Sequence, residues 1–167
     1  MRAPLSWPLP GVVRRGLLLP ILAFAVAGAG GQQPATPGSV RILSAQSGLF
    51  GGPGGDLESF AAGTRLPLRD GQTFGWRMQV QTDKPRVAVR EELTLPSEPT
   101  TWGDPEPDVK RRTSPDGRTA VSEYQLEPKA GFIANSWTVT TGDPKGTWVI
   151  KVKVEGHPER VFRFEAQ

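Results

Sequence analysis

The chain has 167 residues, 37% of them hydrophobic and 22% charged, with 20 glycines, 17 prolines, no cysteine and a formal net charge of +3. That length suits one domain whose core is large enough to stand without metal or disulfide. The lack of cysteine excludes thiol catalysis, thiolate zinc sites and a disulfide scaffold. Well-separated apolar runs, with glycines that keep no three-residue period, exclude a disordered or collagen-like chain.

At the N-terminus, Arg2, Arg14 and Arg15 form a positive segment before the apolar run Gly16 to Ala29, which ends in the small residues Ala25, Ala27 and Ala29. This is the layout of a secretory signal peptide, residues 1–27, with cleavage after Ala27 and, as second choice, after Ala29. The run contains Pro20 and falls short of the roughly 20 apolar residues of a membrane-spanning helix, so the mature form has no expected integral membrane segment. No cysteine follows to carry a lipid anchor. Arg14-Arg15 also admits a twin-arginine route, with ordinary secretion as the default. The expected location is periplasmic or secreted. The leader carries three basic and no acidic residues, which leaves 17 of each sign beyond it. A formally neutral mature chain lacks the cationic surplus that displaces counterions from phosphate backbones, which argues against nucleic acid as a partner.

Residues 28–38 read as a flexible linker, and the domain occupies 39–167. Val40 to Ala45 is a short β-prone run leading into Gly51-Gly52-Pro53-Gly54-Gly55, where regular structure is precluded. No Gly-Lys-Ser/Thr follows, so this loop is not read as a phosphate cradle. Phe74 to Gln81 is the clearest strand, with Phe74, Trp76, Met78 and Val80 on one face. After the turn Thr82 to Pro85, the residues Val87, Val89, Leu93 and Leu95 repeat the alternation. Glu91 falls on their apolar face, which implies a bulge or an edge strand with an inward charge. A catalytic carboxylate is the other reading of Glu91, although no partner for it is evident. Pro96 to Ser114 reads as a long connection, and Ser114-Pro115-Asp116-Gly117 as a turn. Strands follow at Thr119–Leu126, Ile133–Thr140, Trp148–Val154 and Arg160–Glu165, the last two joined as a hairpin. Seven or eight short strands with no helical periodicity define an all-β antiparallel sandwich of immunoglobulin-like type, with a closed barrel as the alternative.

Residues able to carry chemistry are few. His157, the only histidine, lies in a hairpin turn, where it reads as an exposed, mobile surface residue instead of a triad member or zinc ligand. Asp104, Glu106 and Asp108 could gather on calcium, but the intervening prolines extend the chain and spread the acids, which favours a solvated loop. Lys110, Arg111 and Arg112 balance these acids or mark a contact patch. Trp76, Trp148 and Trp137 lie in phase with apolar neighbours and read as core. Trp102 lies in the polar connection and reads either as a plug over the end of the sandwich or as a binding anchor. No catalytic residue, metal site or cofactor is expected.

Leu66-Pro67-Leu68, Gly71-Gln72-Thr73-Phe74-Gly75-Trp76, Gly146-Thr147-Trp148 and the closing Phe162 and Phe164, with Gly48-Leu49-Phe50 near the start, resemble a family of uncharacterised secreted bacterial domains. The resemblance covers about residue 40 to the end; it implies the immunoglobulin-like fold and the exported compartment and supplies no catalytic residue. These readings together point to a non-catalytic binding or interaction module of the cell envelope. Its contact surface would be Trp102, Asp104, Glu106, Asp108, Lys110, Arg111 and Arg112, and its partner an envelope protein or glycan. A small carboxylate-based hydrolase of envelope glycans, with two acids facing one cleft, is the alternative. The oligomeric state is not legible from the residues.

Overall fold

The computed structural model describes residues 38–51 and 59–167. The expected signal peptide, all of the expected linker but Gly38, and most of the glycine-rich loop lie outside the described residues. Ten strands follow one another: β1 (Arg41–Phe50), β2 (Ala61–Ala62), β3 (Arg65–Leu66), β4 (Thr73–Gln81), β5 (Val87–Thr94), β6 (Lys110–Thr113), β7 (Thr119–Leu126), β8 (Phe132–Thr138), β9 (Gly146–Val154) and β10 (Arg160–Ala166). They form a four-stranded sheet in the order β2-β1-β4-β8 and a six-stranded sheet in the order β3-β10-β9-β5-β7-β6. Every pairing is antiparallel except β3 with β10. The architecture is therefore a two-sheet sandwich and not a closed barrel, and no helix among the described residues is long and apolar enough to cross a membrane.

Alternation creates the core. Phe74, Trp76, Met78 and Val80 of β4 are buried, as are Val87, Val89 and Leu93 of β5 and Trp148, Ile150, Val152 and Val154 of β9. Phe74 meets Trp148 and Phe164 edge-on, each at 5.2 Å between ring centroids, and so joins one sheet to the other. Trp76 and Trp148 are core residues, as their phase predicts. The β9–β10 hairpin forms as expected, with Phe164 opposite Trp148.

Several strands exceed their sequence signal. β1 runs on to Phe50 because β4 pairs with it to its end, with one register shift between Ile42 and Ser44, placing Gly48 opposite Gly75. β2 and β3 have two residues each, too few to show a period. β6 lies inside the segment read as an irregular connection; Lys110-Arg111-Arg112 has no apolar alternation, yet it pairs with Glu123, Ser122 and Val121 of β7.

The glycines of the Gly-Leu-Phe and Phe-Gly-Trp segments have steric causes. A Cβ at Gly75 would overlap the Asn135 carbonyl oxygen and lie 2.9 Å from Ser136 Cα. A Cβ at Gly48 would overlap the Ala61 carbonyl oxygen and lie 2.7 Å from Phe60 Cζ. Neither site has room for a side chain.

Two expectations need correction. β5 is a central strand, paired in unbroken register with β7 on one side and β9 on the other, so Glu91 marks neither a bulge nor an edge. His157 is half-buried, and its Nε2 lies 2.6 Å from the Val40 carbonyl oxygen, which ties the hairpin turn to the segment entering β1.

Candidate functional site

Glu91 is 0% exposed and is the only buried acid among the described residues. A carboxylate without water is costly unless its oxygens are hydrogen-bonded. Here β4 and β8 supply the donors from the opposite sheet. Trp76 Nε1–H donates to Oε2 at 2.5 Å, Asn135 Nδ2 lies 3.1 Å from Oε2 and 3.2 Å from Oε1, and Trp137 Nε1–H donates to Oε1. The Tyr124 hydroxyl of β7 adds a bond of 2.6 Å to Oε2. The indole and amide groups can only donate through these nitrogens, so both oxygens of Glu91 act as acceptors. Period-two alternation explains the convergence: Trp76 pairs with Asn135 and Phe74 with Trp137, which puts all four on the inward face of that sheet.

Arg111 stands beside this hub. It leaves β6 on the inward side, opposite Ser122, and its Nε lies 3.3 Å from Ser122 Oγ. Nη1 donates to the Trp102 carbonyl at 2.9 Å, and the guanidinium lies 4.6 Å from the centroid of the Trp137 ring. Burial pulls the Arg111 pKa below its ordinary value, while the charge of Glu91 and, less strongly, Tyr124 act in the opposite sense. Burial is also the main cause that holds the Tyr124 phenol well above its ordinary value, reinforced by the charge of Glu91 and the bond to it. Trp102 is half-buried, meets Trp137 edge-on at 5.9 Å and donates from Nε1 to the Gly117 carbonyl at 2.9 Å.

An open groove of about 1090 Å³ runs past this assembly, between β8, the uncovered end of β7 and the connection that leads into β6. Of the residues expected to form a contact surface, Trp102, Asp104, Glu106, Asp108, Lys110 and Arg111 all line it, and Arg112 does not. Strand alternation separates the basic trio: Arg111 turns inward, whereas Arg112 is exposed and pairs with Glu123 at 3.2 Å. Asp104, Glu106 and Asp108 are each exposed, and among the described residues no group of three or more acids and histidines could hold a metal. Glu91, the one buried acid, has both oxygens occupied and no second buried carboxylate near it, so the paired-acid geometry of a glycosidase has no support here.

The residues that sequence reasoning left out of the site are Glu91, Tyr124, Asn135 and Trp137. A signal was present: Glu91 and Asn135 are polar residues on otherwise apolar strand faces, and each is the complement of the other.

Two packed antiparallel sheets with a buried tryptophan at the centre define an immunoglobulin-like β-sandwich. The chain belongs to the family described as the PM0630 beta sandwich domain, whose model matches residues 48–167. In fold it is similar to an immunoglobulin-like protein from Pseudomonas aeruginosa, known from a crystal structure, at 18% identity and a TM-score of 0.51, covering 80% of this chain and 100% of that one. No curated protein matches the sequence.

Proposed function

We propose that the chain is an exported, non-catalytic binding module of the bacterial cell envelope, and that an envelope protein or glycan docks in the groove beside Trp102, Trp137 and Arg111. The observation that carries this reading is the construction of the groove wall. Trp137 is held by the Glu91 carboxylate beneath it, and Arg111 by Ser122, the Trp102 carbonyl and the Trp137 ring, so the surface is ordered before any partner arrives, which lowers the ordering cost of binding. The acids Asp104, Glu106 and Asp108 add a polar rim to an aromatic centre. The basic leader and the neutral remainder of the chain support export.

The test is photo-cross-linking in the native host. A photoreactive residue replacing Glu106 on the groove rim is expected to give a discrete adduct in the periplasmic or secreted fraction, and the same probe replacing Arg163 on β10 to give none. Equal adducts from both positions, or a protein that stays in the cytoplasm, would refute the reading.

A further inference from the structure

Open sheet edges template further pairing, and proteins blunt them by shortening the strand or charging it. Three of the four sheet edges among the described residues are blunted in these ways. β6 has four residues, of which Lys110, Arg111 and Arg112 are cationic. β2 and β3 have two residues each and cover only Gly48–Leu49 of β1 and Glu165–Ala166 of β10, but the uncovered stretches carry a register shift between Ile42 and Ser44 in β1 and the charges of Arg160 and Arg163 in β10. β8 is different: its seven residues, Phe132–Thr138, form the edge of the smaller sheet without a charge or a proline.

The direction of its free main-chain groups follows from the ladder. Val139 exchanges hydrogen bonds with Gly71 and Gln72 at the start of β4, whereas Phe132 exchanges both of its groups with Lys129. Alternation then points the N–H and C=O of Ile133, Asn135 and Trp137 toward β4 and those of Ala134, Ser136 and Thr138 outward. Those three outward residues have no strand partner among the described residues.

We infer that β8 pairs antiparallel with β8 of a second copy of this chain about a two-fold axis through Ser136. In that register Ser136 faces its own counterpart and Ala134 faces Thr138, so all three outward residues exchange both groups. An isologous contact sets a strand against itself, so any charge on it would face its like or a close neighbour; an uncharged edge removes that repulsion. The result is a continuous eight-stranded sheet across two copies, since each contributes four strands. Ser136 and Thr138 also line the groove, so the second copy would stand at its β8 wall, and the pairing is tested with no ligand added.

The test uses the purified exported protein, in which no other cysteine exists. Residues of a hydrogen-bonded antiparallel pair lie about 5.5 Å apart at Cα, within the range a disulfide spans. Ser136→Cys is therefore expected to form a covalent dimer under mild oxidation, and Arg163→Cys on the far sheet to form little. Sedimentation of the wild type should show a monomer–dimer equilibrium. Ser136→Lys, whose outward side chain leaves the β4 ladder intact, should raise the dissociation constant at least tenfold while melting stays within a few degrees. A wild type that remains monomeric up to about 1 mM overturns the inference. So does equal cross-linking of the two cysteine variants, or protection of the Ser136 amide only when an unrelated extended peptide is added.

Discussion

Glu91 organises the interior of this sandwich through bonds to Trp76, Asn135, Trp137 and Tyr124. Three of these donors come from the opposite sheet, so the carboxylate works as a cross-link between layers. Glu91→Ala would leave two indole N–H groups, an amide and the Tyr124 hydroxyl without their acceptor, and since an unsatisfied buried donor costs about 1–3 kcal/mol, a loss of at least that size is expected. Glu91→Gln keeps the shape but turns one acceptor into a donor that faces other donors; a loss of about 2 kcal/mol in urea unfolding is expected. A variant as stable as wild type would show that the hub contributes no stability. Tyr124 offers a spectroscopic check because it is the only tyrosine. Its phenol is held well above the ordinary value, so the neutral form stabilises the fold fully below the unfolded tyrosine pKa, near 10, and that stability is lost as pH rises toward the folded value. Phenolate absorbance should therefore appear together with alkaline unfolding; a smooth titration near 10 in the folded protein would contradict the buried bond to Glu91. Part of this hub was legible: Glu91 breaks the apolar face of β5, and Trp137 lies in phase with the apolar residues of β8. That they meet was not, because the two strands lie in different sheets.

Among the elements, β4 and β8 are joined by a glycine. Gly75→Ala would drive a methyl group into the Asn135 carbonyl, and because the obstacle is backbone, the two strands must separate. Overpacking of this kind costs about 1–3 kcal/mol, read as a lower urea midpoint, and here it should also weaken the Asn135 and Trp137 bonds to Glu91. The turn before β7 carries a different dependence. Asp116 accepts bonds from Ser114 Oγ and from Arg118, which lower its pKa to about 2. A depressed carboxylate stabilises above its unfolded pKa and loses that effect as pH falls toward 2. Asp116→Asn should accordingly flatten the acid limb of a melting-temperature profile, lying slightly below wild type at neutral pH and converging with it as pH falls toward 2. The period-two strands β4, β5, β7, β9 and β10 were all legible because burial of one face imposes the alternation. β6 was not, since a four-residue edge made of cations obeys pairing with β7 and shows no hydrophobic period.

On the scale of the whole molecule, composition and periodicity were enough for the class of fold: no cysteine, no helical period, and many short alternating strands leave few architectures besides an antiparallel sandwich. The same residues place the entire positive surplus in the expected leader, an expectation that argues against a polyanionic partner. Trp102 illustrates the remainder. Its position in a proline-rich connection admitted both a plug and an anchor, and the fold places it half-buried against Trp137 with its polar edge bonded to Gly117. Trp102→Ala is expected to cost about 1–2 kcal/mol, less than truncation of the fully buried Trp76, because only part of its surface leaves water; a loss as large as that of Trp76→Ala would make it a core residue outright. Sequence alone sufficed for what local physics dictates: which residues alternate, which turn, and which face is apolar. Only the tertiary structure decided which inward polar groups meet, which strand is left as an open uncharged edge, and which of three adjacent cations turns inward. Those depend on strands far apart in the chain coming into register, and no local period records them.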